Sequence, residues 1–178
     1  MLKKILLALV LIVAAFLVVV ALQPSEFSVE RTTTIAATPE AIFPHVNDLH
    51  KWDAWSPWAK LDPNAKVGFG GPDAGEGATM DWAGNDEVGA GKMTITESKP
   101  NDLVKFRIDF TEPFVGTSTS SFTFKPDGDK TAVSWGMEAH HKFIEKALCL
   151  VSNGKGMVEG QLDEGLAKLK SVVEQAKS

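Results

Sequence analysis

The amino-acid sequence predicts an α+β fold in which a curved antiparallel sheet of six to seven strands wraps around a long C-terminal helix. Three patterns predict this fold, in chain order. An apolar run near the N-terminus indicates a transmembrane helix, and period-two alternation from Lys66 to His140 indicates successive strands. Apolar residues at every third or fourth position from Val158 to Ala176 then indicate an amphipathic helix that lays one face on the sheet.

The apolar run extends from Ile5 to Leu22. Its 18 residues would span roughly 27 Å as a helix, close to the hydrocarbon thickness of a bilayer. Lys3 and Lys4 precede it and tend to stay cytoplasmic, which predicts that the rest of the chain lies outside the cytoplasmic membrane, in the periplasm or the extracellular space. A cleaved secretory signal is the alternative, but its apolar core usually has only about 7–15 residues. We therefore expect an uncleaved signal-anchor at residues 1–22, a linker at 23–26 and one domain at 27–178.

The charge of the exported part argues against nucleic acid as a partner. Residues 23–178 contain 16 basic and 23 acidic residues, a net charge of −7. Such a surface repels phosphate backbones and anionic head groups, so we expect membrane attachment to depend on the N-terminal helix and not on basic residues. The single cysteine, Cys149, excludes an intramolecular disulfide.

The domain is predicted to begin with a strand and a short helix. The first predicted strand is Phe27–Ile35, in which Phe27, Val29, Thr33 and Ile35 fall on one face. The segment Thr38-Pro39-Glu40 is typical of a helix start, because it combines a hydroxyl cap, proline at the first helical position and an acid at the positive end of the helix dipole. Pro44 lies past the first turn, so this helix should be short or kinked.

The middle of the chain predicts an antiparallel meander, because short links rich in Gly, Pro, Asn and Asp join the successive strands. The clearest link is 126–129, Pro-Asp-Gly-Asp, a hairpin turn signal. A short helix is expected at about Phe143 to Val151, separated from the final helix by a break at 152–154. The predicted strands of the meander are Lys66–Gly70, Ala78–Trp82, Gly91–Glu97, Leu103–Phe110, Thr117–Lys125 and Thr131–His140.

The strand alternation also predicts a ligand cavity. One helix cannot fill the concave face of six or seven strands, and concave apolar spaces are the usual ligand sites of proteins. Residues on the inner face are apolar, whereas the opposite face holds residues such as Arg107, Asp109 and Glu138. An apolar cavity favours binding over acid–base catalysis, which needs positioned ionisable groups. The pocket candidates are Trp52, Trp55, Trp82, Met93, Ile95, Phe106, Ile108, Phe110, Phe122, Trp135 and Met137.

Three of the five tryptophans, Trp52, Trp55 and Trp58, fall within seven positions. They could form an aromatic rim or floor for an apolar ligand, or a plug that closes one end of the sheet. Large aromatic side chains supply core area more often than ligand contact, so we favour the plug, and the two roles can coexist.

One family resemblance rests on segments spread along the chain, at 29–31, 38–43 (Thr-Pro-Glu-Ala-Ile-Phe), 47–49, 52–58 (Trp-Asp-Ala-Trp-Ser-Pro-Trp), 77–82, 88–91, 95–97, 131–135 and 165–170. These segments resemble the polyketide cyclase/dehydrase-like proteins of the START-like superfamily, often called SRPBCC. The resemblance covers nearly everything after Leu22. It implies a helix-grip fold, like that of the birch pollen allergen, with a deep hydrophobic pocket, and an N-terminal membrane helix found in many similar bacterial proteins. It does not identify a reaction.

Candidates for chemistry are few. Glu97, His140 and Asp81 are the first ionisable residues to inspect for an inward orientation, although surface carboxylates are far commoner than catalytic ones. His45 and His50 lie near two aspartates, but the set lacks known metal-ligand spacing, so no metal site is predicted. The glycines between residues 68 and 77 do not open a helix, and we predict no phosphate-binding loop and no cofactor.

The leading hypothesis is therefore a membrane-anchored, extracytoplasmic domain that binds or carries a hydrophobic small molecule, such as a lipid or isoprenoid, in an apolar cavity. One alternative is a cyclase- or dehydrase-like enzyme acting on a hydrophobic substrate. Another is a non-enzymatic envelope interaction module, which predicts a solid core between sheet and final helix and an exposed apolar patch elsewhere. The identity of the ligand and the oligomeric state stay open.

Overall fold

A computed structural model describes residues 1–176 of the chain. Within that range the helices are α1 (Leu2–Leu22), α2 (Pro39–Asn47), α3 (Phe143–Ser152) and α4 (Gly154–Gln175), with short 3₁₀ helices at Leu49–Ala54 and Trp58–Lys60. The strands are β1 (Glu26–Ile35), β2 (Lys66–Gly70), β3 (Thr79–Ala83), β4 (Ala90–Lys99), β5 (Leu103–Glu112), β6 (Gly116–Asp127) and β7 (Lys130–His140).

The described strands form one antiparallel sheet in the order β1-β7-β6-β5-β4-β3-β2. Strands β2 to β7 pair with their sequence neighbours as a meander, as the short turns predict. Strand β1 closes the other edge by pairing with β7, from Glu26 opposite His140 to Ile35 opposite Thr131. This arrangement confirms the predicted fold class, a seven-stranded antiparallel sheet with a long C-terminal helix.

Element boundaries follow the sequence signals with small shifts. Strand β4 continues two residues past the predicted end at Glu97, to Lys99, which pairs with Leu103 of β5 across a tight turn. The backbone hydrogen bonds between the two strands thus extend beyond the alternating apolar residues. Helix α4 begins four residues before the predicted Val158. Asn153 alone, in a left-handed conformation with φ of 52°, separates it from α3.

Helix α4 buries one face against the sheet. Leu162, Leu166, Leu169 and Val173 recur at three- and four-residue steps and are all buried. The helix is also tied to the edge strand β1 by polar contacts: Arg31 pairs with Glu159 at 2.7 Å and with Asp163 at 3.2 Å, and the ammonium of Lys170 donates to the carbonyl of Thr34 at 2.9 Å. The apolar face of α4 thus covers the concave side of the sheet.

Helix α4 approaches the sheet closely at Gly165. A β-carbon placed there would lie 2.5 Å from Cζ3 of Trp135 and 3.1 Å from Cδ of Pro57. Contacts that short force neighbouring groups to move, so the absence of a side chain at Gly165 lets the helix lie directly on the Trp135 ring.

We expect the G165A variant to lower the free energy of unfolding by about 1–3 kcal/mol, because the added methyl group overpacks the contact with Trp135. The matched control is G160A on the same helix, where a β-carbon meets nothing within 4 Å. There the loss of glycine flexibility should raise the free energy of unfolding by about 0.5–1 kcal/mol. Denaturant unfolding followed by tryptophan fluorescence measures both, and equal effects of the two variants would contradict the proposed packing constraint.

Candidate functional site

A cluster of aromatic rings fills the middle of the concave face. The rings of Trp52 and Trp55 lie 4.6 Å apart, Trp55 meets Trp135 edge-on at 5.6 Å, and Phe122 stacks on Trp135 at 4.7 Å. These four side chains are buried. Trp58 lies half-buried against the outer edge of Trp135. The tryptophan segment therefore packs as a plug between the sheet and α4.

The indole nitrogens of the plug are satisfied by hydrogen bonds. The N–H of Trp52 donates to the carbonyl of Val46 at 2.9 Å, and that of Trp55 donates to the carbonyl of His45 at 3.0 Å. The N–H of Trp135 donates to the hydroxyl of Ser120 at 2.9 Å. Because a buried unpaired indole N–H would be costly, these bonds hold the rings in fixed orientations.

The other predicted pocket residues divide into two groups. Met93, Ile95 and Phe106 are buried in the same core as the plug. Ile108 and Met137 are slightly more exposed, and Phe110 and Trp82 are partly exposed at the end of the sheet where β7 finishes. The role of both groups in binding stays a prediction, and Phe110 of the second group borders open space.

That open space is a groove of about 510 Å³ at the end of the sheet. Its inner-face residues come from neighbouring strands, since Ser118 pairs with both Ile108 and Ala139. The loop between β5 and β6 forms one wall, and the start of α3 forms the other. The lining residues are Phe110, Phe114, Val115, Gly116, Thr117, Ser118, Ala139, His140, His141, Lys142 and Glu145. The groove is the continuation of the concave face beyond the plug.

Phe110 is held in place from the side by Trp82. The two rings meet edge-on at 5.8 Å across strand β4, above Gly91. A β-carbon at Gly91 would lie 2.7 Å from the indole ring of Trp82, so only glycine permits this contact. The indole N–H of Trp82 donates to the carbonyl of Val88 at 3.1 Å, which fixes the ring. The aromatic wall of the groove is thus positioned by strands β3, β4 and β5 and by the turn that contains Val88.

The groove combines an apolar floor with a polar rim. Phe110 and Ala139 belong to the floor, whereas His140, Lys142 and Glu145 stand at the edge near solvent. A carboxylate oxygen of Glu145 accepts the backbone N–H of Lys142 at 2.7 Å, which fixes the first turn of α3. Such a site can hold an apolar body on its floor and a polar or charged end at its rim.

Two of the three candidate catalytic residues lie on the outer surface, away from the groove. Glu97 pairs with Lys105 at 2.8 Å and with Lys99 at 2.7 Å. Hydrogen bonds from Lys105 and then Lys99 lower the pKa of Glu97 to about 2, so it is ionised at neutral pH and poorly suited to donate a proton. Asp81 is exposed and faces Lys92 at 3.6 Å. Of the three, His140 lines the groove.

The histidines near the tryptophan segment do not converge on a shared site. The ring Nδ1–H of His50 donates a hydrogen bond to a carboxylate oxygen of Asp48 at 3.1 Å, and the ring stacks on Phe69 at 4.1 Å. His45 is partly buried, and that burial together with the positive charge of Lys51 lowers its pKa. Within residues 1–176, no group of three or more His, Cys, Asp or Glu side chains is arranged to hold a metal ion.

Sequence reasoning identified Phe110 and His140 but missed most of the groove. Ala139 and Ser118 are small, and small residues give no pocket signal in a strand pattern. The pair Phe114-Val115 offered one usable signal, because both are apolar and exposed in a turn, where polar residues are usual.

We expect Glu97 to titrate near pH 2. Its folded-state pKa lies below the ordinary value of 4.5, so its stabilising contribution is fully present above about pH 4.5 and is lost as the pH falls toward 2. Carboxyl NMR titration should show the midpoint rising toward 4.5 in the K99M/K105M double variant. The exposed Lys125 provides the control, since K125M should leave the midpoint unchanged. A wild-type midpoint near 4.5 would contradict the ion-pair geometry.

Comparison with solved structures shows the fold. Norcoclaurine synthase from Thalictrum flavum is 17% identical with a TM-score of 0.64, over 86% of this chain and 89% of that one. The Aha1 protein from Colwellia psychrerythraea, solved as a dimer, is 18% identical with a TM-score of 0.61, over 85% and 99%. Ara h 8.0201 is 11% identical with a TM-score of 0.56, over 84% and 99%. These similarities confirm the helix-grip fold of the birch pollen allergen type.

Among curated proteins, none matches the sequence significantly. The sequence model of one protein family does match, and it is described as polyketide cyclase/dehydrase and lipid transport. The match covers residues 26–174, from the first residue of β1 to the last turn of α4, and so includes the sheet, the plug and the groove. The chain therefore belongs to the polyketide cyclase/dehydrase and lipid transport family.

Proposed function

We propose that this protein is anchored in the cytoplasmic membrane by α1 and binds a hydrophobic small molecule, such as a lipid or isoprenoid, in the groove outside that membrane. The observation that carries the proposal is the groove of about 510 Å³ itself. Its volume lies in the range of about 300–1,000 Å³ that is typical of small-molecule sites. The family description, which includes lipid transport, supports the same class of ligand.

The lining of the groove supports an amphiphilic ligand. An alkyl or prenyl chain would lie against Phe110, Ala139 and the apolar wall residues, and each buried methylene would contribute about 0.8 kcal/mol. A charged or polar head group would stay at the rim, within reach of Lys142 and His140. This division matches a lipid better than a uniformly polar metabolite.

Helix α1 supports attachment to a membrane. Its 21 residues form the one described helix that is long and apolar enough to cross a bilayer, a property that it shares with secretory signal sequences. Almost all of its side chains are exposed on the protein surface, which suits contact with lipid and not a soluble core. Because strand β1 begins at Glu26, shortly after α1 ends at Leu22, the domain would lie close to the membrane surface.

A cyclase- or dehydrase-like enzyme is the second candidate, favoured by His140 at the rim of the groove and by the family description. Imidazole is the side chain best suited to proton transfer near neutral pH. Lipid recovered from the protein distinguishes the two functions: a carrier returns it with unchanged mass, and an enzyme returns a product whose formation is lost in H140Q.

The envelope interaction module also retains support. The aromatic plug gives the solid core that this alternative predicts, and the apolar side chains of α3 are exposed. What separates it from a lipid-binding protein is whether the groove is occupied by ligand, which a direct labelling experiment can measure.

Filling the groove should block binding. The full-length protein is reconstituted in nanodiscs that contain a phospholipid with a photoreactive group near the end of one acyl chain. After illumination, we expect adducts in peptides covering residues 110–118 and 139–145, besides those in α1. The A139F variant should reduce the groove adducts several-fold while leaving the α1 adducts unchanged.

The matched control is A132F, which adds the same ring to the same strand on the opposite face of the sheet. It should leave groove labelling unchanged. Adducts confined to α1, or equal groove labelling in A139F and A132F, would refute ligand binding in the groove.

A further inference from the structure

Helix α3 is amphipathic, but its apolar side chains face outward, the reverse of an ordinary surface helix. None of its residues is buried, and Ile144 and Val151 are 66% and 74% exposed. The half-buried positions include its polar residues Glu145 and Lys146. A helix on a soluble protein normally presents its apolar stripe to the core and its charges to water. The exposed apolar side chains of α3 are Phe143, Ile144, Leu148, Leu150 and Val151.

These apolar side chains form a continuous face. Ile144, Leu148 and Val151 are four and three residues apart, so they lie in a row along one side of the helix. The exposed Met157 at the start of α4 and Phe114-Val115 across the groove are further apolar side chains in the same part of the molecule. An exposed apolar surface of this kind marks an interaction site.

The position of α3 is fixed against the end of α1. The ammonium group of Lys146 donates hydrogen bonds to the carbonyl oxygens of Gln23 at 3.0 Å and Ala21 at 3.4 Å. The last carbonyls of a helix have no partner within the helix and carry its negative dipole end, so they suit a lysine. Val20 is fully buried, unlike the other residues of α1. Helix α3 is therefore held at the level of residues 20–23, where the apolar run ends.

We propose that the apolar face of α3 lies in the interfacial layer of the same bilayer that α1 spans, so that the groove opens toward lipid. This inference rests on the proposed anchoring by α1. Interfacial helices of this type insert their apolar side chains at the boundary of head groups and acyl chains, with lysines beside them. The apolar face thus continues the lipid-contacting surface of α1.

Local charge supports a lipid surface as the occupant. Residues 140–157 contain Lys142, Lys146 and Lys155 and a single acid, Glu145, whereas the exported part as a whole is acidic. Lys146 is bonded to the end of α1, whereas Lys142 and Lys155 are exposed and suit the phosphates of lipid head groups. A second copy docking through the same face would bring its own lysines against these, which like-charge repulsion disfavours.

The consequence for function is a route for lipid that avoids water. The groove lies between the Phe114-Val115 wall and the first turn of α3, at Lys142 and Glu145. With α3 in the interface, both walls of the groove border the bilayer, and an amphiphile could move into it without full exposure to solvent. Exposing a long acyl chain to water would otherwise be strongly unfavourable, because each methylene group prefers an apolar environment.

Depth-dependent quenching tests the position of α3. The single native cysteine is removed by C149S, and a cysteine is introduced by I144C or V151C for labelling with an environment-sensitive fluorophore. In vesicles of phosphatidylcholine and phosphatidylglycerol, lipids brominated near the head-group end of the acyl chain should quench both labels and shift their emission to the blue. A label introduced by D129C, in the turn between β6 and β7 at the opposite end of the sheet, should show neither effect.

The outcomes separate the two proposals. Release of the unlabelled protein from vesicles by alkaline carbonate would refute the anchor and, with it, the inference about α3. If the protein stays in the vesicles but the labels at 144 and 151 show neither quenching nor a blue shift, like the label at 129, only the inference about α3 is refuted. Self-quenching that rises with the protein-to-lipid ratio, without quenching by brominated lipid, would identify a second copy as the occupant and also refute it.

Charge placed on the apolar face should detach α3 from the bilayer. In the I144D/V151D variant, quenching of a label introduced by L148C should fall several-fold. V67D changes an exposed valine on β2 and serves as the control, with quenching unchanged. The double variant should also lower groove labelling by vesicle-borne photoreactive lipid but not by a short-chain analogue added from water. Equal loss with both probes would show that the groove itself was damaged and would overturn the proposed route.

Discussion

The contact between Trp135 and Gly165 is the packing constraint on which the rest of the domain depends. A curved sheet of seven strands offers more concave surface than one helix can cover, so the distance of α4 from the sheet decides how much space remains. Gly165 brings the helix directly onto the indole ring, and Trp52 and Trp55 close the remaining gap. The middle of the concave face is thereby filled with buried aromatic rings in mutual contact.

Beyond the filled middle, the groove of about 510 Å³ lies at one end of the sheet. There the inner-face residues become small, at Ser118 and Ala139, and α4 gives way to α3 through the left-handed turn at Asn153. The result is a groove with an apolar floor and a rim of ionisable groups. The plug also gives the groove an inner wall of packed aromatic rings, which suits binding of a ligand from one direction.

The orientation of α3 connects this groove with the N-terminal helix. Its polar residues face the protein, and Lys146 neutralises the carbonyl end of α1, so the apolar residues are left outside. In water this arrangement would be unfavourable, since several large apolar side chains stay exposed. Beside a bilayer it becomes favourable. Under this proposal, the exposed lysines near α3 would add to the attachment that the net charge assigns to the N-terminal helix.

The sequence by itself determined the fold class, the helices and strands, and the residues that share the inner face. These features follow from local periodicity, because burial of one face imposes a repeat of two on strands and of 3.6 on helices. Periodicity does not say which segment covers a given face. That Trp52 and Trp55 fill the space beside Trp135, that Glu97 lies between two lysines, and that α3 turns its apolar side outward were decided only by tertiary structure. Each depends on contacts between residues distant in the chain, whose pairing no local pattern encodes.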